Sequence, residues 1–117
     1  MPRKLSVADR FIQATLLGEA VDFGPACVFV ADEERKYVAV NQAACDALGY
    51  TRDELLRLRV DDVADSNGKW EEMQINGTVS GEVDIRRKDG TTVPFRYTAG
   101  RTRVAGMPVF VSVGVAG

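Results

Sequence analysis

The chain has 117 residues, 45% hydrophobic and 27% charged, which is the balance of a single folded globular core and excludes a disordered or fibrous chain. A formal net charge of -2, with the Lys and Arg scattered apart from Arg86-Arg87-Lys88, gives no electrostatic reason to bind nucleic acid directly. Histidine is absent, which removes the usual general base and commonest metal ligand, and no apolar run reaches the roughly 18 residues that a bilayer demands. The expectations are therefore a cytoplasmic module with no membrane insertion, no metal and no catalytic residue.

Ser6, with Asp9 three residues on, resembles a helix start, and a helix from about Val7 to Ala20 is expected. Phe11, Ile12 and Leu16 fall together at helical spacing beside polar Arg10 and Gln13, so this helix is amphipathic and must cover something. Asp22-Phe23-Gly24-Pro25 breaks it, and the boundary between a helical extension, 1–24, and the domain proper, 25–117, is placed there. Cys27–Ala31 and Tyr37–Val40 read as hairpin strands around the charged turn Asp32–Lys36. Asn41 caps a helix to Leu48, which Gly49 ends, and Thr51 with Glu54 forms a capping box for a helix through about Arg57.

Ser66-Asn67-Gly68 reads as a turn and Lys69–Ile75 as a short helix carrying Trp70 and Met73. A meander follows: a strand around Val83 and Ile85, the turn at Lys88-Asp89-Gly90, a strand with Val93, Phe95, Tyr97 and Ala99, the turn at Ala105-Gly106, and a last strand. In that last strand Val109, Val111, Val113 and Val115 share one face and Phe110, Ser112 and Gly114 the other. The expected architecture is α+β: a five-stranded antiparallel sheet, helices on one face, and an N-terminal amphipathic cap helix. The valines at 109 and 111 are read as facing the helices. Phe110, with Phe29 or Tyr37, is left on the opposite face for the N-terminal helix to cover. Cys27 and Cys45 lack CxxC spacing and are read as buried reduced thiols.

The ordered set Val28–Asp32, Tyr37–Ala44, Leu48–Leu56, Gly81-Glu82, Arg86–Gly90 and the valine-rich last strand resembles the PAS domain family, the sensory Per-Arnt-Sim module common in bacterial signalling proteins. The resemblance implies a sheet curved around a small internal cavity, and a role in signal transduction, such as a two-component system or transcription regulation. It implies a small ligand held non-covalently, a homodimer, or both, and a covalently linked effector domain. Family members continue past the final strand into an Asp-Ile-Thr-like segment, whereas this chain stops at Val115-Ala116-Gly117, so it is expected to belong to a longer protein.

Within that resemblance haem is disfavoured for want of histidine. Photochemical flavin is disfavoured because Asp65–Trp70 replaces the cysteine-bearing run, and a thioester-linked chromophore because the aligned residue is Ser66. The expected pocket residues are Val40, Ala44, Leu48, Tyr50, Leu55, Trp70, Phe95, Tyr97 and Val111, between the sheet and the helices of 41–57. Dense packing of those same residues is the alternative, which would leave a ligand-free dimerisation module. The expected dimer interface is Phe11, Ile12, Leu16 and Phe110, and Glu54 with Lys88 is an expected structural ion pair. A small isomerase-like enzyme is a remote third reading, resting only on carboxylates such as Asp61-Asp62 and on tyrosines.

Overall fold

A computed structural model describes residues 9–65 and 68–117. The expected cap at Ser6 and the turn residues Ser66 and Asn67 lie outside them. Helix α1 spans Arg10–Asp22, and Asp9 caps it by accepting from the Phe11 and Ile12 backbone N–H groups at 2.9 and 3.2 Å. Strands β1 (Cys27–Ala31) and β2 (Tyr37–Val40) form the first hairpin. Helices α2 (Gln42–Leu48), α3 (Arg52–Leu55), α4 (Val60–Val63) and α5 (Lys69–Asn76) follow, and β3 (Thr78–Arg86), β4 (Thr92–Val104) and β5 (Met107–Ala116) complete the chain. The five strands form one antiparallel sheet in the order β2-β1-β5-β4-β3, the α+β architecture that the sequence implies.

Local chemistry delimits the helices. Asn41 Oδ1 accepts from the Ala44 N–H at 3.1 Å at the start of α2, and Gly49, at φ 78°, supplies the left-handed residue that ends it. Thr51 and Glu54 exchange both capping-box bonds around α3, which ends at Leu55, short of the expected Arg57. Helix α4 was not expected. The Asp62 carboxylate accepts from the Arg59 N–H at 2.8 Å and closes that turn, so the Asp61-Asp62 pair sits in a helix.

A bulge between Val30 and Ala31 shifts the β1–β2 register, so that Tyr37 and Val40 are both buried while Val38 and Ala39 between them are exposed. The face of the sheet toward α2–α5 carries Cys27, Phe29 and Ala31 from β1, Ile85 from β3, Val93, Phe95 and Ala99 from β4, and Phe110 from β5. With Leu48, Leu55 and Val63 from the helices, each almost wholly enclosed, these residues make the core. Each large aliphatic or aromatic side chain among them contributes about 1.5–3 kcal/mol by leaving water.

The orientation of β1 and β5 is the reverse of the sequence expectation. Phe29 and Phe110 point to the helices, and Val28, Val30, Val111, Val113 and Val115 point away. Gly114 explains the choice: a Cβ there would meet the Phe95 ring at 2.7 and 2.8 Å, so only the glycine side of β5 can lie over that ring.

Candidate functional site

The core divides into two clusters. The larger is built on α2, α3, β1 and β2, and the smaller consists of Met73, Val79, Ala99 and Phe110 with Trp70 and Tyr97 against it. Between them is a cavity of about 100 Å³. Its floor is Phe29, Ala31, Val79, Val83, Ile85, Phe95, Tyr97, Ala99, Phe110 and Ser112 of the sheet. Val60, Val63, Trp70 and Met73 of α4 and α5 form the roof, and Arg35, Asp65 and Lys69 supply its charged groups.

The aromatic walls are mutually packed. Phe95 stacks on Tyr97 with ring centroids 5.8 Å apart, Phe29 meets Phe95 edge-on at 5.7 Å, and Trp70 lies 4.4 Å from Phe110. Burial pushes the Tyr37 and Tyr97 phenols above their ordinary range, so both are neutral hydroxyls at any physiological pH.

Of the residues expected at a pocket, Trp70, Phe95 and Tyr97 line this cavity. Val40, Ala44, Leu48 and Leu55 lie in the close-packed larger cluster with Tyr50 packed against it, and none of these five is on the cavity wall. The cavity is therefore under α4–α5 and not under the helices of 41–57. Small Ala43, Ala44 and Ala47 pack α2 directly on β1 without a gap, whereas at α5 the bulky Trp70 and Met73 meet the sheet around the cavity. Val111 is on the opposite face of the sheet, for the reason Gly114 supplies.

Sequence reasoning missed Arg35, which was read as part of a charged turn. It has φ 66°, and the turn holds it there: Asp32 Oδ1 accepts from the Glu34 and Lys36 N–H groups at 2.9 and 3.0 Å, and the Arg35 carbonyl accepts from Val60 N–H at 2.8 Å. Its guanidinium carbon lies 4.8 Å from the centre of the Trp70 ring. A lone arginine among charged neighbours carries no signal in sequence that its side chain folds back over a core.

A second site is the joint between α1 and the domain. Asn41 is 4% exposed, and its amide donates to the carbonyls of Val21 at 2.7 Å and Ala26 at 2.8 Å while Oδ1 also accepts from Val28 N–H at 2.9 Å. Arg52 of α3 adds an ion pair to Asp22 at 2.7 Å. Only the C-terminal end of α1 is anchored; along its length no residue is buried, and Phe11 is 87% exposed. Leu16 is exposed and Ile12 half-buried, but Phe110, the fourth residue expected at a dimer interface, is 7% exposed in the core. The outer sheet face offers Val113 and Val115 in its place, 43% and 61% exposed.

Lys88 Nζ lies 2.6 Å from Glu54 Oε2, which ties the β3–β4 turn to α3. That bond, with the Thr51 N–H, holds the Glu54 carboxyl down at about 2. Arg87 Nε and Lys88 N–H add donors to the Ala47 and Leu48 carbonyls at 3.1 and 2.9 Å. Both cysteines are free and buried, and burial raises both thiols. Among the described residues no helix is long and apolar enough to cross a membrane.

The family model described as PAS domain matches residues 25–115. Among solved structures, the chain resembles a PAS domain from a two-component sensor histidine kinase, with 14% identity, a TM-score of 0.81, and 93% of this chain and 100% of that one covered. It also resembles the PAS domain of an HTR-like protein from Haloarcula marismortui, with 20% identity, a TM-score of 0.78, and 91% and 93% covered. A domain of a sensory box sensor histidine kinase/response regulator from Geobacter sulfurreducens aligns at 20% identity and a TM-score of 0.75, over 94% and 99%. No curated protein sequence matches the chain.

Proposed function

The chain belongs to the PAS domain family, and from that premise we propose that it is a non-catalytic sensory module that binds a small molecule non-covalently and relays the binding to a covalently linked effector. The observation that carries this reading is the aromatic-lined cavity between the two halves of the core, where a domain this small would ordinarily be filled. The domain is 25–117, the preceding residues serve as a helical extension, and the working compartment is the cytoplasm. Haem, a photochemical flavin and a thioester-linked chromophore have no part in it, so the purified protein is expected to be colourless.

Thermal-shift screening against small acids, amides and lipids tests the reading, with Ala99→Val as the cavity-filling control. Ala99 lines the cavity, so the variant should keep its fold and lose ligand stabilisation. If no compound stabilises the wild type, the sensor reading fails.

The exposed apolar residues of α1 and of the outer sheet face favour a second, compatible role as a homodimerisation module. In that role Phe11 and Leu16 of one copy cover Val113 and Val115 of the other. Light scattering should give twice the chain mass, reduced by Phe11→Lys. A monomer at high micromolar concentration would remove this role and leave the ligand reading untouched.

A further inference from the structure

We propose that Arg35 is the recognition group of the cavity and that the ligand it selects is a short apolar carboxylate. The inference rests on the ligand-binding reading above and adds to it the charge and size of the ligand.

Two atoms of the Arg35 side chain, Nε and Nη2, are buried without a hydrogen-bond partner among the described residues. They form one edge of the guanidinium, the side-on fork whose two parallel N–H groups match the two oxygens of a carboxylate. Nη2 does lie 2.9 Å from Asp61 Oδ1, but this is an ion-pair contact without hydrogen-bond geometry, and the Asp61 side chain is 59% exposed and well solvated. Nε has no partner of either kind among the described residues. Leaving a buried donor unpaired is costly, more so on a charged group, and the turn that folds Arg35 over Trp70 makes the placement deliberate in the fold. Neither atom is open to the cavity as the fold stands, so a carboxylate at its mouth removes that cost as the guanidinium turns from Asp61 toward the space that Arg35 lines.

The surroundings narrow the anion to a monoanion. Asp61 stands against Arg35 and Asp65 lines the cavity, Asp65 with Arg86 at 3.9 Å, and their field opposes a dianion such as a phosphate ester. Lys69 is the other cation there, 3.7 Å from Glu72 and half-buried. The remainder of the wall, with Phe29, Val63, Met73 and Phe95, has no charge and accepts an apolar body. Since a cavity of about 150 Å³ takes a benzene ring, one of about 100 Å³ takes a body of about four or five carbons.

The single tryptophan of the chain is the residue beneath Arg35, so intrinsic fluorescence reports on this site. The probes are isovalerate and its uncharged isostere isovaleramide, titrated into the full chain and into Arg35→Met, with thermal shift as a second readout. Wild type should bind the acid, and Arg35→Met should weaken it about tenfold or more while leaving the amide unchanged. Asp61→Asn, an exposed substitution that does not depend on the refolding of the turn, should tighten the acid severalfold and leave the amide alone.

Acid and amide binding equally to the wild type, or acid binding unmoved by both variants, overturns the role of Arg35 while the cavity reading stands. If neither probe nor any screened compound binds the wild type, the ligand reading itself falls and the Arg35 inference falls with it.

Discussion

In β1 and β5 the two faces of the central sheet are both apolar, yet their fates are opposite. The inner face places Phe29, Phe95 and Phe110 under four short helices, and the outer face exposes Val113 and Val115, while α1 has no buried residue along its length. The difference teaches that where a strand is apolar in both phases hydrophobicity does not choose the face; steric fit does. Gly114 allows the Phe95 ring to lie against β5 on one side only, and the aromatic side chains follow it inward. The inner face is committed to the fold, whereas the outer face is free for another surface.

The sharpest test of that contrast is Phe110→Ala. Removing a buried ring should cost about 3–5 kcal/mol in a denaturant titration, toward the lower end because the side chain already borders a cavity. A cost near zero would mean that the two faces are assigned the wrong way round. Gly114→Val comes next: its side chain must displace both the Arg96 carbonyl and the Phe95 ring, at about 1–3 kcal/mol.

Val115→Glu should change the stability of dilute protein by no more than about 0.5 kcal/mol. In the dimerisation role it should nevertheless shift the mass toward the monomer, the opposite pairing of effects from Phe110→Ala. Were Val115→Glu to destabilise the dilute monomer as strongly as Phe110→Ala, the distinction between a committed and a free face would be lost.

The smallest effect concerns the tie between the inner-face helices and the β3–β4 turn. Glu54 sits at about 2 in the fold against an ordinary 4.5, so the folded state favours its ionised form. Its contribution is complete above about pH 4.5 and is lost as pH falls toward 2. Glu54→Gln should therefore flatten the decline of melting temperature over that window and do little to its slope at neutral pH. An unchanged acid limb in the variant would mean that the Lys88 contact is too solvated to matter.

Sequence alone determined the order of the elements, α4 excepted, and most of the places where they begin and end, because those signals are local. The Asn41 cap, the left-handed Gly49, the Thr51–Glu54 box and the Asp89-Gly90 turn act over three or four residues, and each needs no knowledge of the rest of the chain. The Glu54–Lys88 pair was legible too, through the family resemblance more than through any spacing. Which face of β5 turns inward was not, since an alternation of period two with apolar residues in both phases fits either orientation equally. Only tertiary contact decided it, through Gly114 on β5 meeting the ring of Phe95 on the neighbouring strand β4. The site followed the same rule. Trp70, Phe95 and Tyr97 announced themselves as aromatic residues, but the displacement of the cavity toward α5 and the folding of Arg35 over Trp70 arise between segments some 35 residues apart, where side-chain volumes and a turn geometry meet that no local pattern encodes.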